Sequence, residues 1–349
     1  MKILDNLKKN TILLLIITLI VLYIILKDDF YDIINILQNL DIKFILLAIL
    51  FFFLSVAIKG YVNYKIINDK EKISLKEAIK HNLITQFFNG ITPFSTGGQP
   101  MEIYMLTEHN ISVSKATNQT IQSFIFYQIA LVICGALAVI YNFIFHLFPK
   151  VTILRHLVQL GFIINIAVVI VLIIISYSKV ITKKIGNIII KILKKLRIKT
   201  DEKKIEKVFD EYYEGFQEIK SRRGLFPMGI ILNIASLLCL YIVPLFILYS
   251  MRDFMSISAV ETVTASAYVY IIGAFVPVPG ASGGIEYGFT QIFGNFIYSN
   301  KLSATLLLWR FITYFVGMIT GAIAFNAEKK EKKWELEYLQ KHIRHILVV

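Results

Sequence analysis

Six stretches of this chain are long and apolar enough to cross the roughly 30 Å hydrocarbon core of a bilayer, which takes about 20 residues of helix. They are residues 11–26, 44–64, 117–142, 157–178, 225–250 and 303–325. Two further apolar regions, 75–110 and 259–300, are interrupted by proline and glycine. Only 17% of the residues are charged, against about 25% in an average soluble protein. We therefore expect an all-α polytopic membrane protein with about six crossing helices and two broken helical regions.

The first apolar run looks at first like a secretory signal peptide, because Lys8 and Lys9 precede it. It ends at Lys27, Asp28 and Asp29 and lacks the small residues of a cleavage site. We therefore interpret this run as a retained helix that remains part of the membrane protein.

The distribution of Lys and Arg predicts which side of the membrane each loop occupies. Thirty of the 37 basic residues fall in residues 1–10, in segments 57–80 and 179–223, at Lys115, and in the tail 326–349. The opposite loops hold six. We therefore expect a cell-membrane protein with both termini in the cytoplasm. This arrangement accounts for the net charge of +13 without a nucleic-acid partner, for which the sequence offers no motif.

The same orientation constrains the two broken regions. Segments 57–80 and 179–223 are both expected on the cytoplasmic side, and two crossing helices between them already bring the chain back to that side. Region 75–110 must therefore make no net crossing and return to the cytoplasmic side. By the same argument, region 259–300 enters and leaves from the outside. Each is a re-entrant hairpin, or a pair of full helices, that lines protein or a wet cavity. The expected halves form an inverted repeat and are followed by a tail, with bounds 1–150, 151–325 and 326–349.

Both broken regions contain a proline, three further residues and a Gly-Gly pair: PFSTGGQP at 93–100 and PGASGGIE at 279–286. Interrupted helices at matching positions of inverted repeats indicate a transporter binding site near the bilayer midplane. A helix that restarts after Gly-Gly would direct unpaired N–H groups into the break, where they attract a phosphate or carboxylate. The competing interpretations are chance recurrence of Gly-Gly, or two packing turns that bind nothing.

The candidate substrate-binding residues combine the motifs with nearby polar and ionisable side chains. They are Thr92, Pro93, Ser95, Thr96, Gly97, Gly98, Gln99, Glu102, Pro279, Gly280, Ser282, Gly283, Gly284, Glu286 and Arg310. Glu102 and Glu286 lie near the starts of the restarted helices, where each either caps its own helix or acts on substrate. Arg310 lies inside an apolar run, where charge is costly. It either pairs with Glu286 or Glu261, binds a lipid phosphate, or extends to the outer interface beside Trp309.

Other chemistries receive little support from the sequence. The six histidines are scattered without a zinc-binding motif, and Cys134 and Cys239 sit in apolar runs as core residues. We expect no metal and no cofactor. Gln119, Gln122 and Gln128 make their helix too polar to face lipid, so we expect them to face the interior. The stretch 185–198 either lies on the anionic inner leaflet or belongs to a solvated connector.

The two motifs, in the contexts Asn89–Pro100 and Pro277–Glu286, resemble the membrane module of the lysylphosphatidylglycerol synthase/flippase-like family. The resemblance covers nearly the whole chain. It implies an integral membrane protein of about eight hydrophobic segments that is linked to moving lipids between leaflets. In full-length synthases a separate soluble domain transfers the amino acid. Only about 25 residues follow the last apolar run here, so we expect no lysyl transfer.

The resemblance and the motifs together predict a lipid transporter of the flippase type rather than an enzyme. Its cargo would be a phospholipid, a glycolipid or a polyprenyl phosphate, with the phosphate at the Gly-Gly helix starts and Arg310. Two alternatives remain open: an intramembrane lipid-modifying enzyme, and a scaffold or regulatory subunit that binds a partner through segment 179–223. Catalysis would need a nucleophile–base pair or metal ligands, and the sequence suggests only Glu102 and Glu286.

Overall fold

The computed structural model describes residues 30–67, 73–148, 152–195, 202–222, 224–273, 276 and 278–328. These residues form helices and turns, with no strand among them. The predicted all-α fold is therefore confirmed. The first predicted span, 11–26, and the tail from residue 329 onward lie outside the described residues.

The helices are numbered along the chain within the described residues. They are α1 (Phe30–Gln38), α2 (Ile42–Ile67), α3 (Leu75–Gly90), α4 (Gly98–Glu108), α5 (Val113–Phe145), α6 (Thr152–Tyr177), α7 (Lys179–Lys195), α8 (Glu202–Ser221), α9 (Leu225–Tyr241), α10 (Val243–Ser250), α11 (Ala259–Gly273), α12 (Gly284–Phe293) and α13 (Ser299–Arg310). Two 3₁₀ turns, Pro93–Ser95 and Pro279–Ala281, precede α4 and α12. After α13 the chain makes a π-helical turn, Phe311–Val316, and then continues as helix to Glu328.

Four helical stretches within the described residues are long and apolar enough to cross a membrane. They are Ile42–Ile67, Val113–Phe145, Leu225–Ser250 and Asn300–Glu328. Each contains one of the predicted spans, so the polytopic architecture is confirmed. The predicted span 157–178 overlaps α6, which ends at Tyr177 and whose described apolar part is Gly161–Val171. The cytoplasmic location of the termini stays a prediction.

Helix α2 shows how one apolar helix serves both lipid and protein. Leu46, Leu50 and Leu54, four residues apart, form an exposed stripe, whereas Phe52 and Val56 are each 1% exposed. Residues four apart lie on one face of a helix. A helix that is apolar all round belongs to a membrane span or a large core. The exposed stripe therefore faces the bilayer, and the buried stripe packs against α9.

Each broken region forms two helices joined by one of the 3₁₀ turns. Helix α3 begins at a capping box, in which Glu77 N–H donates to Ser74 Oγ at 3.2 Å and Ser74 N–H donates to Glu77 Oε2 at 2.6 Å. It ends shortly before Pro93, because proline lacks the N–H that would extend the helix. Helices α3 and α4 pack together, as do α11 and α12. Both regions are thus hairpins, and their insertion from opposite membrane sides stays a prediction.

The main core joins α2 and α5 to the helices from α9 to α13. Phe289 of α12 stacks on Trp309 of α13 with ring centroids 4.9 Å apart, and on Phe293 at 4.1 Å. Trp309 is only 2% exposed. The alternative in which Arg310 extends to the outer interface beside an anchoring Trp309 is therefore not the one observed, because the indole is part of the core.

Beyond the π-helical turn, the last helix changes partner and packs against the first hairpin. Gly317 and Gly321 lie on this side. A methyl group at Gly321 would come within 2.3 Å of the Leu83 carbonyl oxygen of α3, so glycine permits a close approach of the two backbones. One continuous helix thus contacts the second hairpin with its first part and the first hairpin with its second part.

The basic connector folds against the helical bundle. Helices α7 and α8 pack on each other, and α8 also packs on α5. Arg222 donates to the backbone carbonyls of Lys65 at 2.8 Å and Ile66 at 3.1 Å, which joins the end of the connector to the end of α2. The predicted contact of residues 185–198 with the inner leaflet stays a prediction.

Candidate functional site

The two motif turns have the same backbone conformation in their first four residues and differ in the two that follow, which are α-helical at Thr96 and Gly97 but not at Ser282 and Gly283. The residue before each proline is extended, with φ −116° and ψ 143° at Thr92 and φ −117° and ψ 145° at Val278. The residue after each proline is left-handed, with φ 53° at Phe94 and φ 63° at Gly280. A second left-handed residue follows in both turns, and the next helix begins five positions after the proline, at Gly98 or Gly284.

The two turns also meet in space. Cα atoms of Pro93–Ser95 lie within 8 Å of Cα atoms of Pro279–Ala281, and the second turn also contacts α3. The phenolic hydroxyl of Tyr314, on the last helix, donates to the carbonyl oxygen of Gly90 at 2.9 Å. The fold therefore brings together two segments that are far apart in the sequence, at the junction of both hairpins and α13.

Three of the four glycine amides expected to bind an anion donate to acceptors within the chain. Gly97 N–H donates to Thr92 Oγ1 at 2.8 Å, and Gly98 N–H donates to Asn89 Oδ1 at 2.8 Å. In the second motif, Gly283 N–H donates to Glu286 Oε2 at 2.6 Å. Acceptors from the chain itself therefore satisfy these three donors, which a phosphate was expected to meet.

The motif hydroxyls are used in the same local way. Thr96 Oγ1 donates to the Pro93 carbonyl at 3.0 Å, and Ser282 Oγ donates to the Pro279 carbonyl at 3.2 Å. Thr92 Oγ1 donates to the Phe88 carbonyl at 2.8 Å while it accepts from Gly97. These side chains stabilise the turns. The motif residues therefore shape the site more than they present donors to a ligand.

Arg310 holds the second turn through several contacts. Its Nε lies 2.7 Å from Glu286 Oε1, and its Nη2 donates to Gly280 O at 3.1 Å and Ser282 Oγ at 3.3 Å. The guanidinium also lies over the Tyr314 ring, 4.5 Å from the centroid. Of the sequence-based alternatives, pairing with Glu286 is the one observed. Nη1 makes no hydrogen bond among the described residues.

The two motif glutamates are not equivalent. Glu286 is the third residue of α12 and caps its own helix, whereas Glu102 is the fifth residue of α4. Aligning Pro93 with Pro279 sets Glu286 against Pro100 rather than against Glu102. Glu102 is buried and accepts from Asn63 Nδ2 at 2.9 Å, and the Asn63 amide oxygen accepts from the Ser123 hydroxyl. Glu102 therefore joins the first hairpin to α2 and α5.

A cavity of about 580 Å³ lies beside the paired turns. Four of the predicted site residues line it: Ser95, Gln99, Gly280 and Arg310. The remaining predicted residues do not line it, namely Thr92, Pro93, Thr96, Gly97, Gly98, Glu102, Pro279, Ser282, Gly283, Gly284 and Glu286. The structure thus separates residues that face the cavity from residues that build the turns around it.

The walls of the cavity are part polar and part apolar. Gln128 donates to Asn165 at 3.3 Å on one wall, as expected for an interior glutamine, and Gln122 is also buried. Apolar side chains complete the walls, including Phe52, Phe124, Leu131, Val168, Leu237, Leu240, Ile285 and Trp309. Such a mixture suits a ligand with one polar end and an apolar remainder.

Two cationic side chains face the cavity, Lys59 of α2 and Arg310, and its described lining contains no Asp or Glu. Lys59 Nζ lies 4.7 Å from the centroid of the Tyr127 ring, a favourable cation–π distance. Lys59 was not among the predicted site residues, because it was assigned to a cytoplasmic basic segment. In the structure Lys59 belongs to the apolar helix α2, and a lysine so far inside a span is itself the signal that would have found it.

Comparison with known proteins identifies the family. The sequence model of the family described as "Lysylphosphatidylglycerol synthase TM region" matches residues 10–321. A relative from Archaeoglobus fulgidus, named UPF0104 membrane protein, is 26% identical over 275 residues, which is 73% of this chain and 77% of that protein. The matched region contains both hairpins, Lys59 and Arg310. The chain therefore belongs to the lysylphosphatidylglycerol synthase transmembrane-region family.

Proposed function

We propose that this protein binds the head group of a phosphate-bearing lipid in the cavity beside the paired turns and moves that lipid between leaflets. The cargo class is a phospholipid, a phosphate-bearing glycolipid or a polyprenyl phosphate. The observation that carries the proposal is the pair of cations, Lys59 and Arg310, in a membrane cavity whose described lining has no carboxylate.

The charges favour an anionic head group. Glu286 balances the charge of Arg310 through Nε, while the N–H groups of Nη1 remain available as hydrogen-bond donors. Guanidinium and ammonium groups both bind phosphate through short, charge-assisted hydrogen bonds. Lys59 makes no hydrogen bond among the described residues; its ammonium rests on an aromatic ring and interacts electrostatically with Glu102, which does not line the cavity. It supplies the second positive charge.

The size of the cavity fits a head group and leaves the tails in the bilayer. Small-molecule sites in proteins occupy about 300–1,000 Å³, and this cavity holds about 580 Å³. Two acyl chains would need considerably more room. We infer that the apolar walls contact the glycerol or first methylene groups, while the chains extend between helices into lipid.

The side chains of the cavity support binding rather than chemical conversion of the lipid. Its described lining contains no His, Cys, Asp or Glu. A hydrolase or transferase site requires a nucleophile with a base, or a metal ligand set. Lys59 and Arg310 are suited to bind the negative charge of a lipid head group while the lipid moves between leaflets.

The test is lipid movement in reconstituted vesicles. Purified protein is placed in liposomes that carry phosphatidylglycerol with a fluorescent acyl chain, and a membrane-impermeant quencher reports the label in the outer leaflet. A labelled neutral hexosyl lipid serves as the phosphate-free cargo. We expect the protein to accelerate movement of the phosphatidylglycerol and to leave the neutral lipid slow.

Two lysine variants make the test specific to the cavity. Lys59→Gln removes a charge-assisted contact worth about 1.5–3 kcal/mol, so we expect transport to fall roughly 10- to 100-fold. Lys65→Gln is the matched control, because Lys65 lies on the same helix and also over tyrosine rings, at 5.3 Å from Tyr61, but does not line the cavity. Equal transport by both variants, or equal movement of both lipids, would contradict the proposal.

A further inference from the structure

Three side chains with metal-ligating atoms converge at the base of the first hairpin. They are His81 on α3, His109 just after α4, and Glu328 at the end of the last helix. Their candidate ligand atoms all lie within 4.8 Å of one another. His81 is 3% exposed, and the two imidazole centroids are 5.2 Å apart. This cluster does not line the lipid cavity.

The fold explains why these residues meet. Helices α3 and α4 run back along each other, so a residue near the start of α3 faces the residue that follows α4. The last helix packs along α3 at Gly321 and reaches the same level at Glu328, two turns later. The three ligands therefore come from both arms of the first hairpin and from a helix far along the chain.

We propose that His81, His109 and Glu328 bind one divalent transition-metal ion of the zinc class. Two imidazole nitrogens and a carboxylate form a recognised donor set for zinc, with a fourth position left for water. Ligand atoms around a tetrahedral zinc lie about 3.3 Å apart when its bonds are about 2.0–2.1 Å long. Modest side-chain rotations would bring the three groups to that spacing. Mg²⁺ would not compete, because it prefers oxygen ligands in an octahedral arrangement.

The surroundings of the cluster permit a bound cation. Lys80 Nζ lies 3.8 Å from Glu328 Oε2, so the metal would displace a long ion pair. The Lys80 side chain is 26% exposed and has access to solvent when Glu328 turns to the metal. Glu77, one turn before His81, interacts electrostatically with both imidazoles and adds negative charge near the ion. The balance of charge around the proposed ion therefore favours binding of a cation.

Binding here would tie the first hairpin to the end of the last helix. A ligand that binds the folded form alone stabilises it, so zinc should raise the melting temperature. Glu328 lies beyond residue 321, where the family match ends. The proposal is independent of lipid transport, and its test uses no transport assay.

The test measures zinc binding to the full-length protein in detergent, with any purification tag removed. His342 and His345 in the tail are three residues apart and would bind metal in their own right, so the parent protein carries His342→Asn and His345→Asn. Equilibrium dialysis against zinc alone, followed by elemental analysis, should give one zinc per chain. Excess Mg²⁺ should not reduce that value.

Single substitutions then assign the ligands. We expect His109→Asn and Glu328→Gln each to weaken zinc binding at least tenfold and to abolish the zinc-dependent rise in melting temperature. Both residues are partly exposed, so these variants avoid the risk of replacing the buried His81. His146→Asn is the matched control, because His146 is exposed and lies outside the cluster.

Cobalt gives an independent readout. Co²⁺ bound to the parent should show the visible d–d absorption of a tetrahedral site, and His109→Asn should lose it. The proposal is overturned if the parent binds no more zinc than His109→Asn does. An equal loss of zinc in His146→Asn would overturn it as well.

Discussion

Arg310 Nε lies 2.7 Å from Glu286 Oε1, while Oε2 of the same carboxylate accepts the Gly283 N–H at 2.6 Å. One buried side chain therefore balances a buried charge and caps the start of α12. The second motif turn keeps its shape through the last helix of the chain as well as through its own residues.

Replacing Glu286 by Gln should strongly destabilise the protein. The amide still accepts a hydrogen bond at the helix start, but it leaves Arg310 as an uncompensated charge, which costs about 3–5 kcal/mol in a buried site. The measurement is unfolding in mixed micelles at increasing denaturing detergent. Glu261→Gln is the control, because Glu261 caps α11 by accepting from Ser258 N–H at 2.8 Å and carries no ion pair among the described residues. A similar loss in both variants would show that capping alone matters.

Replacing Gly280 by Ala should disrupt the second turn. Gly280 has φ +63°, and a methyl group there would lie 2.4 Å from the Tyr314 ring. The left-handed conformation costs a non-glycine residue about 1–2 kcal/mol, and overpacking adds about 1–3 kcal/mol. Unfolding and the vesicle assay both report the change.

The neighbouring Gly283 provides the control for this prediction. It has φ +89°, but a methyl group there would meet no atom within 4 Å. Gly283→Ala therefore adds backbone strain without a clash and should cost less than Gly280→Ala. Replacing Tyr314 by Ala should recover part of the Gly280→Ala loss. An absence of recovery would mean that contact with the ring is not the cause.

The loop between α10 and α11 should weaken at acidic pH. Burial raises the pKa of Asp253, but hydrogen bonds from Lys301 at 2.9 Å and from Ser256 outweigh it and leave the pKa below its usual value. A folded-state pKa below the unfolded value of about 3.9 gives stabilisation that is complete above that value. This stabilisation is lost as the pH falls through the folded-state pKa.

The measurement is the melting temperature of the wild type and of Asp253→Asn from about pH 6 down to about pH 3. We expect the wild type to be more stable near pH 6, and the difference to shrink toward acid because protonated Asp253 resembles the amide. Lys301→Gln should reduce the same pH-dependent difference. A gap that stays constant across the range would show that Asp253 is not the titrating group.

The sequence predicted the architecture well because its main signals are local. Long apolar runs and proline–glycine breaks act over one turn or one helix, and four of the predicted spans lie within the observed membrane-length helices. The pairing of Arg310 with Glu286 was among the predicted alternatives, because a charge inside an apolar run needs a partner.

The details of the site depend on contacts that a single sequence does not display. Two of the expected free amides, those of Gly97 and Gly98, are occupied because Thr92 and Asn89, a few residues upstream, accept from them. A capping asparagine before the motif was a usable signal. The convergence of His81, His109 and Glu328 had no such signal, because their spacing along the chain carries no periodicity.

The π-helical turn Phe311–Val316 lies where the last helix passes from one hairpin to the other. Each residue of an α-helix advances the rotation by about 100°. Deleting one residue within this turn would restore regular helix, but it would twist Arg310 by about that angle away from the face that carries Gly317 and Gly321. The irregular turn therefore sets the rotation of Arg310 relative to Gly317 and Gly321. In a regular helix, these residues could not face the second and the first hairpin at the same time.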